Sequence, residues 1–206
     1  HSLRRRQRQM CIRDSLWNGP SIMNHRRMLW VSTVTSICLE TSLKGRNPVS
    51  SIDLTRLFID VRNPNALQLY MERVQNDISS PVDPLILRHH EFAFKRLLLA
   101  VSILDLDKLT LTYGTFSLSA IEEARDKIVR LLDEHFPMPN FDGYAPQVKR
   151  DFDTFISNGS LPMRIIGFLM ILRLSLALFL HFESMLPQNP ELFPQYRRYF
   201  TLVCLD

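Results

Sequence analysis

The sequence predicts a mainly α-helical fold, about five helices with one small β element. Three observations lead there. Across 206 residues glycine is scarce at 6 and proline plentiful at 12, which disfavours a sheet built on tight hairpins. Hydrophobic residues make up 46 %, enough to bury a core. Long apolar stretches lie between proline-marked breaks, the pattern of helices joined by rigid loops.

Residues 16–50 carry breakers at Asn18-Gly19-Pro20, Gly45 and Pro48 and show little periodicity, so a flexible arm or an untranslated leader is expected there. Leu57-Phe58-Ile59-Asp60-Val61 reads as a short strand. Asn63-Pro64-Asn65 is a turn and helix-start signal, and Leu67, Leu69, Tyr70, Met71 and Val74 give a loosely amphipathic helix to Asn76. Asp83 followed by Pro84 supplies an oxygen for orphan N–H groups and then a proline at the first helical position. The helix from Leu85 to Asp105 is apolar on most sides, which marks a central element.

Thr110 to Leu118 is the strongest strand signal, being rich in Thr, Tyr and Phe with Gly114 at a bend. Ser119 to Glu122 has the spacing of a capping box and opens a helix to Glu134, with Ile121, Ala124, Ile128, Leu131 and Leu132 inward. A proline-rich loop follows from His135 to Gly143. Ala145 to Ser157 is a short helix closed by Asn158-Gly159, glycine suiting a left-handed cap. A long apolar helix runs from Arg164 to Met185, Pro187 and Pro190 stop it, and Pro194 to Leu205 is a last short element.

Net charge is +4, and its location limits its meaning. Residues 1–15 hold five arginines and one acid, and the remainder balances at 20 basic against 20 acidic residues. That first segment, HSLRRRQRQMCIRDS, resembles a translated sequencing adapter and stands outside the fold reading. The end at Leu205-Asp206, directly after an apolar stretch, is expected to be a truncated reading frame. Cys11, Cys38 and Cys204 are odd in number and far apart, which speaks against a disulfide framework or a zinc site.

No catalytic apparatus is expected, and neither cofactor nor metal. Gly114 and Gly143 stand alone, without a phosphate loop. Ser160 lacks the flanks of a nucleophile elbow. His89 and His90 are adjacent and so point about 100° apart on a helix, unable to chelate jointly. Met23 to Thr41 passes weakly as a signal peptide, but Ser and Thr interrupt it. Ile165 to Phe182 approaches the length of a membrane span, with Arg173 at its middle, and is read as a buried core helix. What remains is basic residues near aromatics, Arg88 to Arg198 with Tyr113, Phe116, Phe141, Tyr144 and Tyr196, a pattern that suits a groove for single-stranded nucleic acid.

Several segments resemble, in order, the nucleocapsid proteins of orthobunyaviruses and their relatives. They are Leu57 to Val61, Tyr70 to Val74, Phe94 to Leu99, Thr110 to Leu118, His135-Phe136-Pro137, and Leu161 to Leu169. The sequence departs from that pattern at Met138-Pro139-Asn140, where an expected arginine is missing, and at Phe116, which stands for tryptophan. The resemblance implies a multi-helix N-terminal lobe with a small β element, truncated before a C-terminal lobe. Residues 51–186 would be the helical core and 187–206 the start of a second lobe or a tail. It implies a cytoplasmic, non-enzymatic protein that coats single-stranded RNA in a virion ribonucleoprotein. It further implies homo-oligomers through terminal arms, a viral polymerase as a possible partner, and no stable membrane insertion. Arg164 is the leading candidate for RNA contact, and Lys95, Arg96, Lys149, Arg150 and Arg130 are further candidates. Two alternatives are kept: a helical protein-interaction module without a nucleic-acid role, with an apolar groove beside Phe168 and Phe179, and a single-span membrane protein using residues 165–182.

Overall fold

The computed structural model describes residues 20–44, 59–77, 84–111, 118–139, 145–157 and 159–204. Seven α-helices occur among them: α1 Pro20–Leu43, α2 Ala66–Asn76, α3 Pro84–Leu111, α4 Leu118–His135, α5 Ala145–Ser157, α6 Ser160–Met185 and α7 Phe193–Cys204. One turn of 3-10 helix, Pro190–Leu192, leads into α7. The chain divides into two compact units, His1–Leu104 and Asp105–Asp206, with the boundary inside α3.

The expected helices are present, and the described residues do not support the expected β element. No strand occurs among the described residues. Thr110 and Leu111 end α3 and Leu118 begins α4, while 112–117 lie outside the described residues. At the other predicted strand, Ile59 to Val61 lead into a turn and residues 57 and 58 are not described. The turn is closed by Asn63, whose carbonyl accepts from the Ala66 N–H at 2.9 Å and whose side-chain oxygen accepts from the Asn65 N–H at 2.8 Å.

In the first unit, 24 residues of the stretch expected to be an arm or leader form α1. Its buried positions, Asn24, Val31, Val34, Thr35, Cys38, Leu39, Thr41 and Ser42, recur every three to four residues. Half of them are polar. Asn24 Nδ2 donates to the Val74 carbonyl at 3.4 Å, Thr35 Oγ1 donates to the Val31 carbonyl at 2.7 Å, and Arg27 pairs with Asp77. α2 buries Ala66, Tyr70 and Val74, one residue per turn.

Tyr70 stacks on Phe94 of α3 with ring centroids 4.4 Å apart, and its hydroxyl lies 2.7 Å from Nδ1 of His90. Burial lowers the pKa of His90 to about 4, helped by the charge of Arg27, so the ring is neutral and accepts from the Tyr70 hydroxyl. Burial likewise raises the Tyr70 phenol above its ordinary value. The consequence for stability has a definite sign. The unfolded chain binds the His90 proton below its ordinary value of 6.5, and the folded chain does so only near 4. Stability is therefore full above pH 6.5 and falls as the pH drops towards 4, by roughly 2 kcal/mol. Urea midpoints measured between pH 7 and pH 4.5 check this, and His90→Gln should flatten the slope.

In the second unit, α4 buries Ile121, Ile128 and Leu132. It starts at Leu118, one residue before the expected cap at Ser119. The Glu122 carboxylate accepts from Arg198 Nη1 at 2.7 Å and from the Tyr199 hydroxyl at 2.9 Å, which ties α4 to α7. Burial first, and Glu122 second, push the Tyr199 phenol up to about 12. Gly159 joins α5 to α6 at φ 71°, a left-handed conformation that glycine adopts without a Cβ penalty. Gly167 lets α6 approach α4 closely, since a Cβ there would meet Leu132 Cδ1 at 2.8 Å.

α6 and α7 form a helical hairpin held by rings. Phe182 stacks on Tyr199 at 5.7 Å and Phe179 on Tyr196 at 5.2 Å. α6 is apolar on all sides, yet it buries only the face of Met163, Gly167, Met170, Leu174, Leu178 and Phe182. It was expected to be enclosed as a core helix. Its other face is open.

Candidate functional site

That open face borders a groove. Ile165, Phe168, Leu169 and Leu172 of α6 form one wall and Val129 of α4 contributes to the other, with Arg125 and Arg198 at its margins. Its volume is about 860 Å³, within the range of small-molecule sites. All of these residues belong to the second unit. Ile165, Phe168, Leu169, Leu172, Leu176 and Leu180 are each 43–52 % exposed, a contiguous apolar stripe of a kind that marks binding surfaces.

The two margin arginines already have acidic neighbours. Arg125 pairs with Asp126 at 2.8 Å and Arg198 with Glu122 at 2.7 Å. Arg198 also lies against the Tyr199 ring, with its guanidinium carbon 5.9 Å from the centroid. A guanidinium has five donors in a fixed fork, so one carboxylate does not exhaust it.

The residues nominated from sequence are placed otherwise. Arg164 is 5 % exposed. Its Nε donates to the Phe136 carbonyl at 3.0 Å and its Nη2 to Asp133 at 2.7 Å, so it clamps the end of α4. Lys95 on α3 pairs with Glu91 one turn earlier at 2.6 Å. Arg96 is half-buried, and its enclosed Nε meets no acceptor among the described residues. Lys149 and Arg150 are exposed on α5, where Arg150 Nε donates back to the Pro146 carbonyl at 3.3 Å. Arg130 is exposed on α4. Lys95 and Arg96 lie in the first unit and the other four in the second. His90 is a bonded core residue and His89 is exposed. The histidines, cysteines and carboxylates among the described residues form no cluster able to hold a metal.

No family model matches the chain, and no solved structure matches it. Among characterised proteins it is 41 % identical over 196 residues to the Oleate-activated transcription factor 1 of Saccharomyces cerevisiae, covering 89 % of this chain. It is 35 % identical over 192 residues to the Peroxisome proliferation transcriptional regulator of the same yeast, covering 90 % of this chain. Both relatives are transcriptional regulators. The chain spans about a fifth of their length, 19 % in each case.

These relatives overturn the nucleocapsid resemblance. A match across nine-tenths of the chain outweighs six short motifs in order. Those motifs are apolar helix segments and proline stops, which any helical protein of this composition repeats. With the resemblance go its consequences: the coating of single-stranded RNA, oligomers through terminal arms, a viral polymerase as partner, and a place in a virion ribonucleoprotein. The two alternatives fare no better. An interaction module without a nucleic-acid role and a single-span membrane protein both fail to account for the match to transcription factors. α6 is long and apolar enough to cross a membrane by length and composition alone, but one face packs on α4, α5 and α7.

Sequence reasoning counted Arg125 and Arg198 among many scattered cations and did not single them out. The signal that could have found the site is the spacing of Ile165, Phe168, Leu169, Leu172 and Leu176. It gives α6 a second apolar face beyond the one that Met163, Gly167, Met170 and Leu174 need for packing.

Proposed function

We propose that the chain is a non-enzymatic regulatory segment of a transcriptional regulator acting in the nucleus, and that the groove beside α6 receives an effector. The role is supported by similarity to two yeast proteins whose names both describe transcriptional control. One of these is described as oleate-activated, and the groove's chemistry suits a long-chain monocarboxylic acid of that kind. Phe168, Leu169 and Leu172 would lie along the hydrocarbon and Arg198 would take the carboxylate. The observation that carries this reading is an apolar wall ending at an arginine with donors to spare.

Magnitudes decide which part matters more. Each methylene taken from water contributes about 0.8 kcal/mol, whereas an exposed ion pair contributes about 1 kcal/mol or less. Affinity should therefore follow chain length. Oleate is expected to displace a fluorescent fatty acid from the 206-residue protein. Phe168→Asp should abolish displacement, and Arg198→Ala should weaken it only about fivefold. Equal displacement by the wild-type and Phe168→Asp proteins would reject the groove as the site.

A further inference from the structure

The geometry points to Glu122 as the residue that sets how strongly the groove prefers an acid over an uncharged lipid, because it competes with the ligand's carboxylate for Arg198. This rests on the effector reading above and adds the head-group selectivity of the same site.

The two arginines at the margins do not make the groove positive. Arg198 pairs with Glu122 at 2.7 Å and Arg125 with Asp126 at 2.8 Å. Two cations thus meet two carboxylates, and these four groups are neutral together before a ligand arrives. A fatty acid brings a third carboxylate, whereas a fatty alcohol brings none. The wall of Phe168, Leu169 and Leu172 treats their hydrocarbon chains alike. Preference between the two lipids is a difference of affinities, and it falls on the charges at the margin.

Of the two acids, Glu122 is the one held in place. The Asp126 side chain is 56 % exposed and can turn to water, whereas that of Glu122 is 27 % exposed. The Glu122 oxygen that meets Arg198 also accepts from the Tyr199 hydroxyl at 2.9 Å. Tyr199 is buried, with its ring stacked on Phe182. Its phenol, pushed up to about 12, keeps its proton at neutral pH and goes on donating. Glu122 therefore stays beside Arg198 when a ligand enters. A guanidinium has donors for two carboxylates, but the two repel each other, and partly enclosed charges are screened less than exposed ones. Glu122 thus weakens the hold of Arg198 on an acid and leaves an alcohol untouched.

Displacement of a fluorescent fatty alcohol from the 206-residue protein, by oleate and by oleyl alcohol, tests this. The wild-type chain should take the alcohol at least as well as the acid, although an arginine stands at the margin. Glu122→Gln keeps an oxygen for Tyr199 and Arg198 and removes the charge. It should improve displacement by oleate about fivefold and leave that by the alcohol within about twofold. Glu123→Gln removes the same charge from the next, exposed position of α4 and should change neither. A wild-type chain that favours oleate about tenfold or more would overturn the role of Glu122 without any variant. An equal gain from the two Gln variants, or no gain for oleate from Glu122→Gln, would overturn it as well. Phe168→Asp separates this from the effector reading. If that variant binds both lipids as the wild type does, the groove itself is rejected and Glu122 with it. If it binds neither, while Glu122→Gln leaves the acid no better bound, only the role of Glu122 falls.

Discussion

Replacing Arg164 with alanine is expected to lower stability by about 2–4 kcal/mol. The ion pair itself is the smaller part. The Asp133 side chain is 65 % exposed, and a pair of that kind contributes about 1 kcal/mol or less. The larger part is the Phe136 carbonyl, which lies just past the end of α4 and accepts from Arg164 Nε. Without that donor a buried acceptor loses a charge-assisted hydrogen bond, at a cost of about 1–3 kcal/mol. The guanidinium also lies 5.7 Å from the Phe168 ring centroid, a contact that alanine removes. Arg164→Lys should recover less than half, because a point charge cannot serve the carbonyl and the carboxylate together. Asp133→Asn should cost less than about 1 kcal/mol. Urea denaturation of the three variants checks the order, and an Arg164→Ala protein within about 0.5 kcal/mol of wild type, well under the cost of a lost buried hydrogen bond to a charged donor, would remove the clamp from the account.

Phe94→Ala should cost more, about 3–5 kcal/mol. Phe94 is fully enclosed, and its ring stacks on Tyr70, which in turn holds His90. Truncation leaves a cavity and removes the packing that keeps the Tyr70–His90 bond out of water. Phe94→Leu keeps most of the volume and should cost less than about 2 kcal/mol. Typical domain stability is about 5–15 kcal/mol, so the alanine variant would lose a large fraction of it. If both substitutions cost the same small amount, the ring stack is not part of the first unit's core.

The sequence carried much of this fold where apolar spacing carried it. α2, α3, α4, α5 and α6 were legible from residues such as Tyr70 and Val74, or Ile121, Ile128 and Leu132, which share a helix face and are buried. α1 was not legible, because its buried face uses Asn24, Thr35, Thr41 and Ser42, polar residues that read as surface; Asn24 and Thr35 are satisfied there by backbone carbonyls. Thr110 to Leu118 misled through strand-favouring residue types. Residue preference is a weak prior, and here the ends of two helices take Thr110, Leu111 and Leu118.

The site was harder to read for a related reason. Charge is visible in a sequence and burial is not. Arg164 ranked first as a ligand contact, and the fold encloses it against Phe136 and Asp133. α6 posed the opposite problem. Its apolar residues cover every side, so a second apolar face was legible in the spacing of Ile165, Phe168 and Leu172, but which face the neighbouring helices would take was not.

The most direct measurement replaces the matched segment of the yeast oleate-activated factor with this chain and reads an oleate-responsive reporter. The account predicts that induction survives the exchange. It also predicts that induction falls at least tenfold when the exchanged chain carries Phe168→Asp, with protein level and helical content unchanged. Full induction from the Phe168→Asp chain, or from a factor lacking the segment altogether, would contradict it.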